Sequence, residues 1–537
     1  MASTTAAAYP DEKAAGYNGP QSVDAPQGER DFFVAVNNAS DGEDYDNVPQ
    51  KKRQLGIFSV VLLIFNRVVG TGIFATPATI LRSGGSVGMS FMMWLIGAFI
   101  AMAGTAVYME FGTGLPRNGG EKNYLEYIYR HPKFLITCTF GTYAALLGWC
   151  AGNSLVFGEY IIVAARQEPT QWNTRGIAFA VITFAFIVHT TAFKWGLRLQ
   201  NLLGSFKVGL LLFVALSGFA ALAGRVRVDP KPDNFSNAFE GTGDINANAF
   251  VNGMYSVIWS YIGYSNANYA LTEIKNPVRT LRIAGPLAIG VITVLYMLVN
   301  VAYFAAVPKE EILTGGRTVA AAFFRNMFGP TAERALSVFV ALSALGNILS
   351  VLFSQGRVVQ ELAREGVLPF SSFFASNRPF GAPMAGLGLQ WAMSLVIILA
   401  PPPGDAFNLV VNLVSYPLTI INSAISGGLI LLYTPFLEHW DWNPPFRASL
   451  PVVVFFFVAN VFLAVAPLIP PAPERTVYLD LPYYLHVVIS IGIFTLGAFY
   501  WLVWVKILPK FGNYKLERVW VKQADGVSRA VITKTRL

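Results

Sequence analysis

Gly70-Thr71-Gly72-Ile73-Phe74 sits inside an apolar run from about Leu55 to Leu81. Two glycines and a threonine bracket a point where a membrane-spanning helix breaks more readily than it continues. In a bilayer, an opened helix is tolerated only where its freed backbone groups face protein, water or a bound solute. A second apolar segment is interrupted in the same manner at Ser260-Tyr261-Ile262-Gly263-Tyr264-Ser265-Asn266. Interrupted helices in corresponding positions of two halves point to a solute site near the bilayer midplane.

Composition supports a membrane setting. Of 537 residues, 54% are hydrophobic and 13% charged, with a mean hydropathy of +0.48, whereas a soluble domain carries about 25% charged residues. Segments of about 20 residues with few charges span a hydrocarbon core. Twelve such segments fall at about 55–81, 87–113, 135–165, 176–193, 199–223, 248–271, 283–307, 332–355, 384–400, 406–433, 450–467 and 482–506. The expected fold is an all-α membrane protein of twelve transmembrane helices over residues 54–506, with helices 1 and 6 broken. Interruptions in the first and sixth spans suggest a 5+5 inverted repeat followed by two additional helices. Residues 1–53 are polar, rich in small residues and lack an apolar signal-peptide core, so they read as a disordered tail; residues 507–537 form a second tail.

The net charge of +8 invites a nucleic-acid reading, but its placement argues for a membrane instead. Lys51, Lys52 and Arg53, then Arg117, Lys122, Arg130 and Lys133, and later Lys275, Arg279 and Arg282 all flank the same side, as does the basic C-terminal segment. The positive-inside rule then puts both termini in the cytoplasm, as an even number of spans requires. Cys138 and Cys150 are the only cysteines and both lie at or inside the third span; buried packing is the expected role. His131, His189, His439 and His486 are far apart, without ligand spacing, so neither a metal nor a cofactor is expected. Asn234-Phe235-Ser236 in an outer loop matches a glycosylation acceptor. No nucleophile–base pattern or phosphate loop is visible, which disfavours an enzyme or ATP-driven transport.

Several motifs together carry a resemblance. They are Arg67 through Pro77 in the first span, and Glu110-Phe111-Gly112-Thr113-Gly114-Leu115-Pro116 followed by Gly119-Gly120. Leu197-Arg198-Leu199-Gln200 precedes Lys207, Glu273-Ile274-Lys275-Asn276-Pro277 leaves the sixth span, and Arg364-Glu365-Gly366-Val367-Leu368-Pro369 follows the eighth. Over about residues 54–506 the chain resembles the amino acid–polyamine–organocation (APC) superfamily, within it the L-type amino acid transporters, and most of all the fungal high-affinity methionine permeases. The resemblance implies a LeuT-like secondary transporter.

A zwitterionic amino acid needs donors for its carboxylate and acceptors for its ammonium, because either charge is costly to desolvate unpaired. The second half of a broken first helix offers exposed N–H groups at its positive end. Gly70 and Gly72 let a carboxylate approach that backbone, and Thr71 adds a hydroxyl. In an isolated Gly-x-Gly, close helix packing is the commoner use; the paired break and the resemblance favour a site. The resemblance implies carbonyl acceptors for the ammonium at Val68, Trp259 and Ile262, although relatives usually carry a small residue where Ile262 stands. It also places Trp259 as an aromatic gate, with Tyr261, Tyr264 and Ser265 along the pocket's wall. Aromatic contacts suit an apolar or thioether side chain, and neither break contains an acid, so the expected substrate is neutral.

Arg67 and Lys207 are intramembrane cations, each costing about 2.5–3.5 kcal/mol at a helix centre, so each should face a cavity or a partner. Lys207 matches a family lysine standing where sodium-coupled relatives bind sodium. It is expected to tie the first helix to the eighth near Ser343 or Asn347, either as a strut or as a titrating group. Arg67 is read as an inner-gate or pathway residue, Glu110 as a gate or helix contact, and Glu159, near an outer end, as solvated.

The sequence therefore points to a stand-alone plasma-membrane permease for neutral L-amino acids, methionine first, with proton symport preferred over exchange. The outer loop from Arg166 to Arg175 lacks the cysteine by which animal L-type transporters link a heavy chain. A broader exchanger and a non-transporting amino acid sensor are the alternatives.

Overall fold

The computed structural model describes residues 55–115, 119–244, 247–402, 404–434, 442–471, 478–522 and 528–536. The expected N-terminal tail, Arg117 and His439 lie outside them. The first apolar run forms α1 (Ile57–Val68) and ends at Val69, whose backbone turns extended (φ −74°, ψ 95°). Helix resumes as α2 (Gly72–Ala75) and α3 (Pro77–Gly84), with Pro77 at a first-turn position, where its missing N–H costs nothing. Next come α4 (Val87–Gly114), α5 (Glu121–Ile128), α6 (Leu135–Leu146) and α7 (Ala151–Ala164). Helices α8 (Gln171–Thr191) and α9 (Phe193–Leu222) follow, α8 being opened by a capping box in which Thr170 and Asn173 satisfy each other's backbone N–H.

The second broken segment begins with α10 (Ala247–Tyr261). It passes through Gly263 at φ +119° and two 3₁₀ turns (Asn266–Tyr269 and Leu271–Glu273) into α11 (Pro277–Ala306). After these come α12 (Lys309–Thr314), α13 (Val319–Phe328), α14 (Pro330–Arg364), α15 (Ser371–Ala375), α16 (Met384–Leu399) and α17 (Ala406–Leu432). The last helices are α18 (Leu450–Val465), α19 (Leu485–Trp501) and α20 (Leu508–Gly512).

Among the described residues, 10 helical stretches are long and apolar enough to cross a membrane. The other two expected crossings fall on the 15-residue α10, cut short by its own break, and on the 16-residue α16. Helix α17 lies at the centre, with 78% of its most apolar window buried; the stretch Leu485–Gly512 lies at the edge, with 17%. Its exposed Leu496 and Phe499 are the apolar surface that a bilayer, and not water, accommodates.

The C-terminal segment is not all helical. Strands β1 (Tyr514–Lys522) and β2 (Ser528–Arg536) pair antiparallel, Tyr514 opposite Arg536. The hairpin docks on helix ends: Ile532 N–H donates to Glu365 O (2.9 Å), and its side chain packs with Phe134 and Val367. Arg518 pairs with Glu126 (3.0 Å), and Lys122 bridges Glu126 and Glu365. Burial disfavours the Glu126 carboxylate, but Arg518 and Lys122 outweigh burial and hold its pKa below the ordinary value.

Asn234, read above as a glycosylation acceptor, is used as a tie. Its amide donates to Phe304 O (2.7 Å) and Val307 O (2.8 Å), and its oxygen accepts from Lys309 N (3.1 Å). This pins the loop before α10 to the end of α11.

Candidate functional site

The two breaks meet. A side chain at Gly263 would collide with Arg67 (Cγ at 2.5 Å), and one at Gly72 with Ser260 (Cβ at 2.7 Å, Cα at 2.8 Å). Gly263 is needed twice over, for its positive φ and for this approach. Gly72 thus serves close packing of the two broken helices, whatever else it does.

The carbonyls that α1 frees at its end are each met by a side chain from an unbroken helix. Lys207 of α9 donates to Val69 O (2.9 Å) and Asn66 O (3.4 Å). Asn347 of α14 donates to Arg67 O (3.4 Å). The Tyr296 hydroxyl of α11 lies 3.2 Å from Val68 O and 3.1 Å from Ser260 O, between the two breaks. This satisfies groups that a low-dielectric interior would otherwise leave costly. Lys207 does reach the first break, but neither Ser343 nor Asn347 is its partner; the Ser343 hydroxyl has no partner among the described residues. The link to α14 runs through Asn347 instead.

On the other side of the break no side chain caps the N-terminus of α2; Phe74 and Ala75 N–H both donate to Thr71 O (3.0 and 2.9 Å), which leaves the Gly72 and Ile73 N–H groups without a helix partner. Thr71 Oγ1 donates to Asn153 Oδ1 of α7 (2.6 Å), and Asn153 Nδ2 donates to Asn347 Oδ1 (2.9 Å). A cavity of about 30 Å³ opens here, lined by Arg67, Val68, Gly70, Thr71, Gly72 and Trp259, with Ile262, Trp149, Asn153, Asn347 and Val414 completing the wall. That is room for about one or two waters, so the site is closed around itself. No acidic side chain stands on this wall.

Tyr261, Tyr264 and Ser265 are placed elsewhere. Beyond the end of α10 the chain turns away from the cavity at Gly263. Tyr261 packs edge-on against Trp94 and Tyr296. Tyr264 packs against Tyr108, and the Ser265 hydroxyl reaches Glu121 (3.4 Å). The wall residues Trp149, Asn153 and Val414, and Tyr296 between the breaks, were not expected from the sequence, and Asn347 was expected only as a partner of Lys207. Val414 and Tyr296 have no Gly or Pro beside them, and the glycines before Trp149, Asn153 and Asn347 are no rarer than others in the chain.

Glu110 makes a helix contact. Its carboxylate accepts from the Tyr433 hydroxyl, Trp442 Nε1 (2.8 Å) and Ala448 N (2.7 Å), which ties α4 to the segment entering α18. Glu159 is a correction: it is not solvated but 4% exposed. Arg317 Nε lies 2.8 Å from both of its oxygens, and that guanidinium also covers the Phe407 ring at 5.2 Å. Phe407 in turn meets Trp259 edge-on at 5.6 Å. A layered cover of ion pair, phenylalanine and tryptophan therefore closes one end of the cavity. An acid near a helix end signals solvation by default; its cation, across a long loop, is invisible locally.

The profile of the amino acid permease family matches residues 55–494. The chain is 50% identical over 513 residues to the high-affinity methionine permease of Saccharomyces cerevisiae, covering 95% of this chain and 88% of that protein. It is 33% identical over 479 residues to the low-affinity methionine permease of the same yeast (87% and 85% covered). It is 28% identical over 423 residues to the mouse b(0,+)-type amino acid transporter 1 (78% and 83%). With two touching helix breaks around a polar cavity inside a multi-pass membrane bundle, the chain belongs to the amino acid permease family and is a transporter, not an enzyme.

Proposed function

We propose that this permease imports neutral L-amino acids, methionine by preference, across the plasma membrane by alternating access coupled to protons. The observation that carries this reading is the cavity wall, where Arg67 and the uncapped start of α2 stand with Val68, Trp259 and Ile262, and no carboxylate does. A carboxylate is bound at the start of α2 and an ammonium at the Val68, Trp259 and Ile262 carbonyls, while Trp149, Trp259 and Val414 hold an apolar or thioether side chain. A cationic substrate would meet Arg67 with no counter-charge. The names of the two yeast relatives support methionine.

In this reading the twelve crossings comprise the ten long stretches with α10 and α16, arranged as a 5+5 inverted repeat plus two, both termini cytoplasmic and no linked heavy chain. Trp259, Phe407 and the Arg317–Glu159 pair form the outer gate, Arg67 and the residues after α10 the inner one, and Lys207 braces the break. Uptake of labelled methionine into vesicles, with unlabelled amino acids as competitors at two pH values, tests it. Neutral apolar amino acids should compete and lysine should not, with faster uptake on the acidic side. Binding without flux would favour a sensor, and flux only against internal amino acid an exchanger.

A further inference from the structure

Glu121 opens α5 directly after Gly119-Gly120 and is 4% exposed, yet among the described residues it has no ion pair. Its neighbour Lys122 is engaged by Glu126 and Glu365. Glu121 is held by hydroxyls from the second break: Tyr269 donates to Oε2 and Ser265 to Oε1. The carboxylate therefore joins the α4–α6 connection to the very residues that must move if the cavity is to open toward the inner face.

The groups facing it come from every side. Arg67 of α1, Tyr108 of α4, Tyr124 of its own helix, Tyr143 of α6, and Tyr264 and Tyr269 after α10 all lie in electrostatic range. From α17 comes the Asn422 amide, bonded to Tyr108. Two of these phenols, Tyr124 and Tyr143, are buried with no hydrogen-bond partner among the described residues. Tyr143 stands edge-on at 5.8 Å to Trp149, which lines the cavity. Packed aromatic rings thus connect the cavity wall to the surroundings of the carboxylate. Arg67 links them a second way, because it lines the cavity.

We infer that Glu121 is the site that carries the coupled proton, and that its carboxylate is the latch of the inner gate. The inference rests on the proton-coupled reading above. A proton arriving through the cavity adds to one Glu121 oxygen and gives a neutral carboxyl, which accepts more weakly from Tyr269 and Ser265 than a carboxylate does. The residues after α10 are then released, the inner face opens, and the proton passes to cytoplasmic water. The re-formed carboxylate captures both hydroxyls and closes the gate. Burial raises the Glu121 pKa above its ordinary value, with the Tyr269 and Ser265 hydrogen bonds opposing.

The test uses the purified full chain in liposomes that contain a pH-sensitive dye. Wild type should acidify the lumen when methionine enters; exchange without acidification would overturn the proton-coupled reading, and this assignment with it. Glu121→Gln should lower methionine-driven acidification at least about tenfold, the change that one pKa unit makes in a titration, and by clearly more than it lowers methionine-for-methionine exchange. Acidification by Glu121→Gln at the wild-type level would overturn the assignment alone. If Glu121→Gln is inert even in exchange, Tyr269→Phe decides. Removing a donor to the carboxylate should move the pH midpoint of uptake upward by about one unit, and an unmoved midpoint would overturn the assignment.

Discussion

Trp259 lines the cavity and packs edge-to-face with Phe407, so its removal opens the cover. Trp259→Ala should weaken the apparent affinity for methionine about tenfold, the scale of a buried aromatic anchor, with surface expression retained; competition binding checks this. Thr71 and Asn153 act as one unit: the Thr71 hydroxyl spends its only hydrogen on Asn153. Thr71→Val and Asn153→Ala should each raise KM, and the double variant should cost less than the two losses added, by about 0.5–3 kcal/mol of coupling. At this scale the sequence was only partly legible. Gly70, Thr71 and Gly72 could be named because they form a break, which is a local signal; Arg67 stood out as a charge in an apolar run, and Val68, Trp259 and Ile262 came with the resemblance. Asn153 could not be named, and Asn347 only as a partner of Lys207 and not as a wall residue, because an asparagine in an apolar helix becomes informative only when its neighbours across the bundle are known.

The elements follow from punctuation. Gly70 lies just past the end of α1 and Gly263 just past the end of α10, and Pro77, Pro277 and Pro330 start new helices; all of these signals are readable in the chain. What the chain did not disclose is how a broken helix survives in a bilayer. The answer lies in α9, α11 and α14, which lend Lys207, Tyr296 and Asn347 to its stranded carbonyls. Lys207→Met removes the donor to Val69 O and leaves a buried acceptor unpaired, a loss of about 1–3 kcal/mol. The purified protein should melt several degrees lower, and transport should slow while its pH midpoint stays put, as fits a brace and not the titrating group. A shifted midpoint would make Lys207 the proton carrier. The C-terminal hairpin was missed for a different reason: its alternation of apolar and charged residues is strand-like, but the charges drew the reading toward a solvated tail.

Across the whole molecule, unbroken helices lend donors to the carbonyls of the first broken one, and Thr71 of that helix donates back to Asn153, so the unbroken helices form a frame around the two breaks. The hairpin belongs to the frame through Arg518 and Glu126. Because the Glu126 pKa is lowered, its contribution is present above the unfolded carboxylate range and is lost as pH falls through the lowered value. Arg518→Ala should increase hydrogen exchange across Tyr514–Arg536 at neutral pH, with exchange in the transmembrane helices unchanged. The frame also sets a condition on the empty transporter. Tyr296 lies within reach of two stranded carbonyls, Val68 O and Ser260 O, but a phenol has a single hydrogen. The two breaks thus share one hydrogen. Parting them hands it to one side and leaves the other carbonyl behind, so a single phenol puts a cost on any separation of the two broken helices.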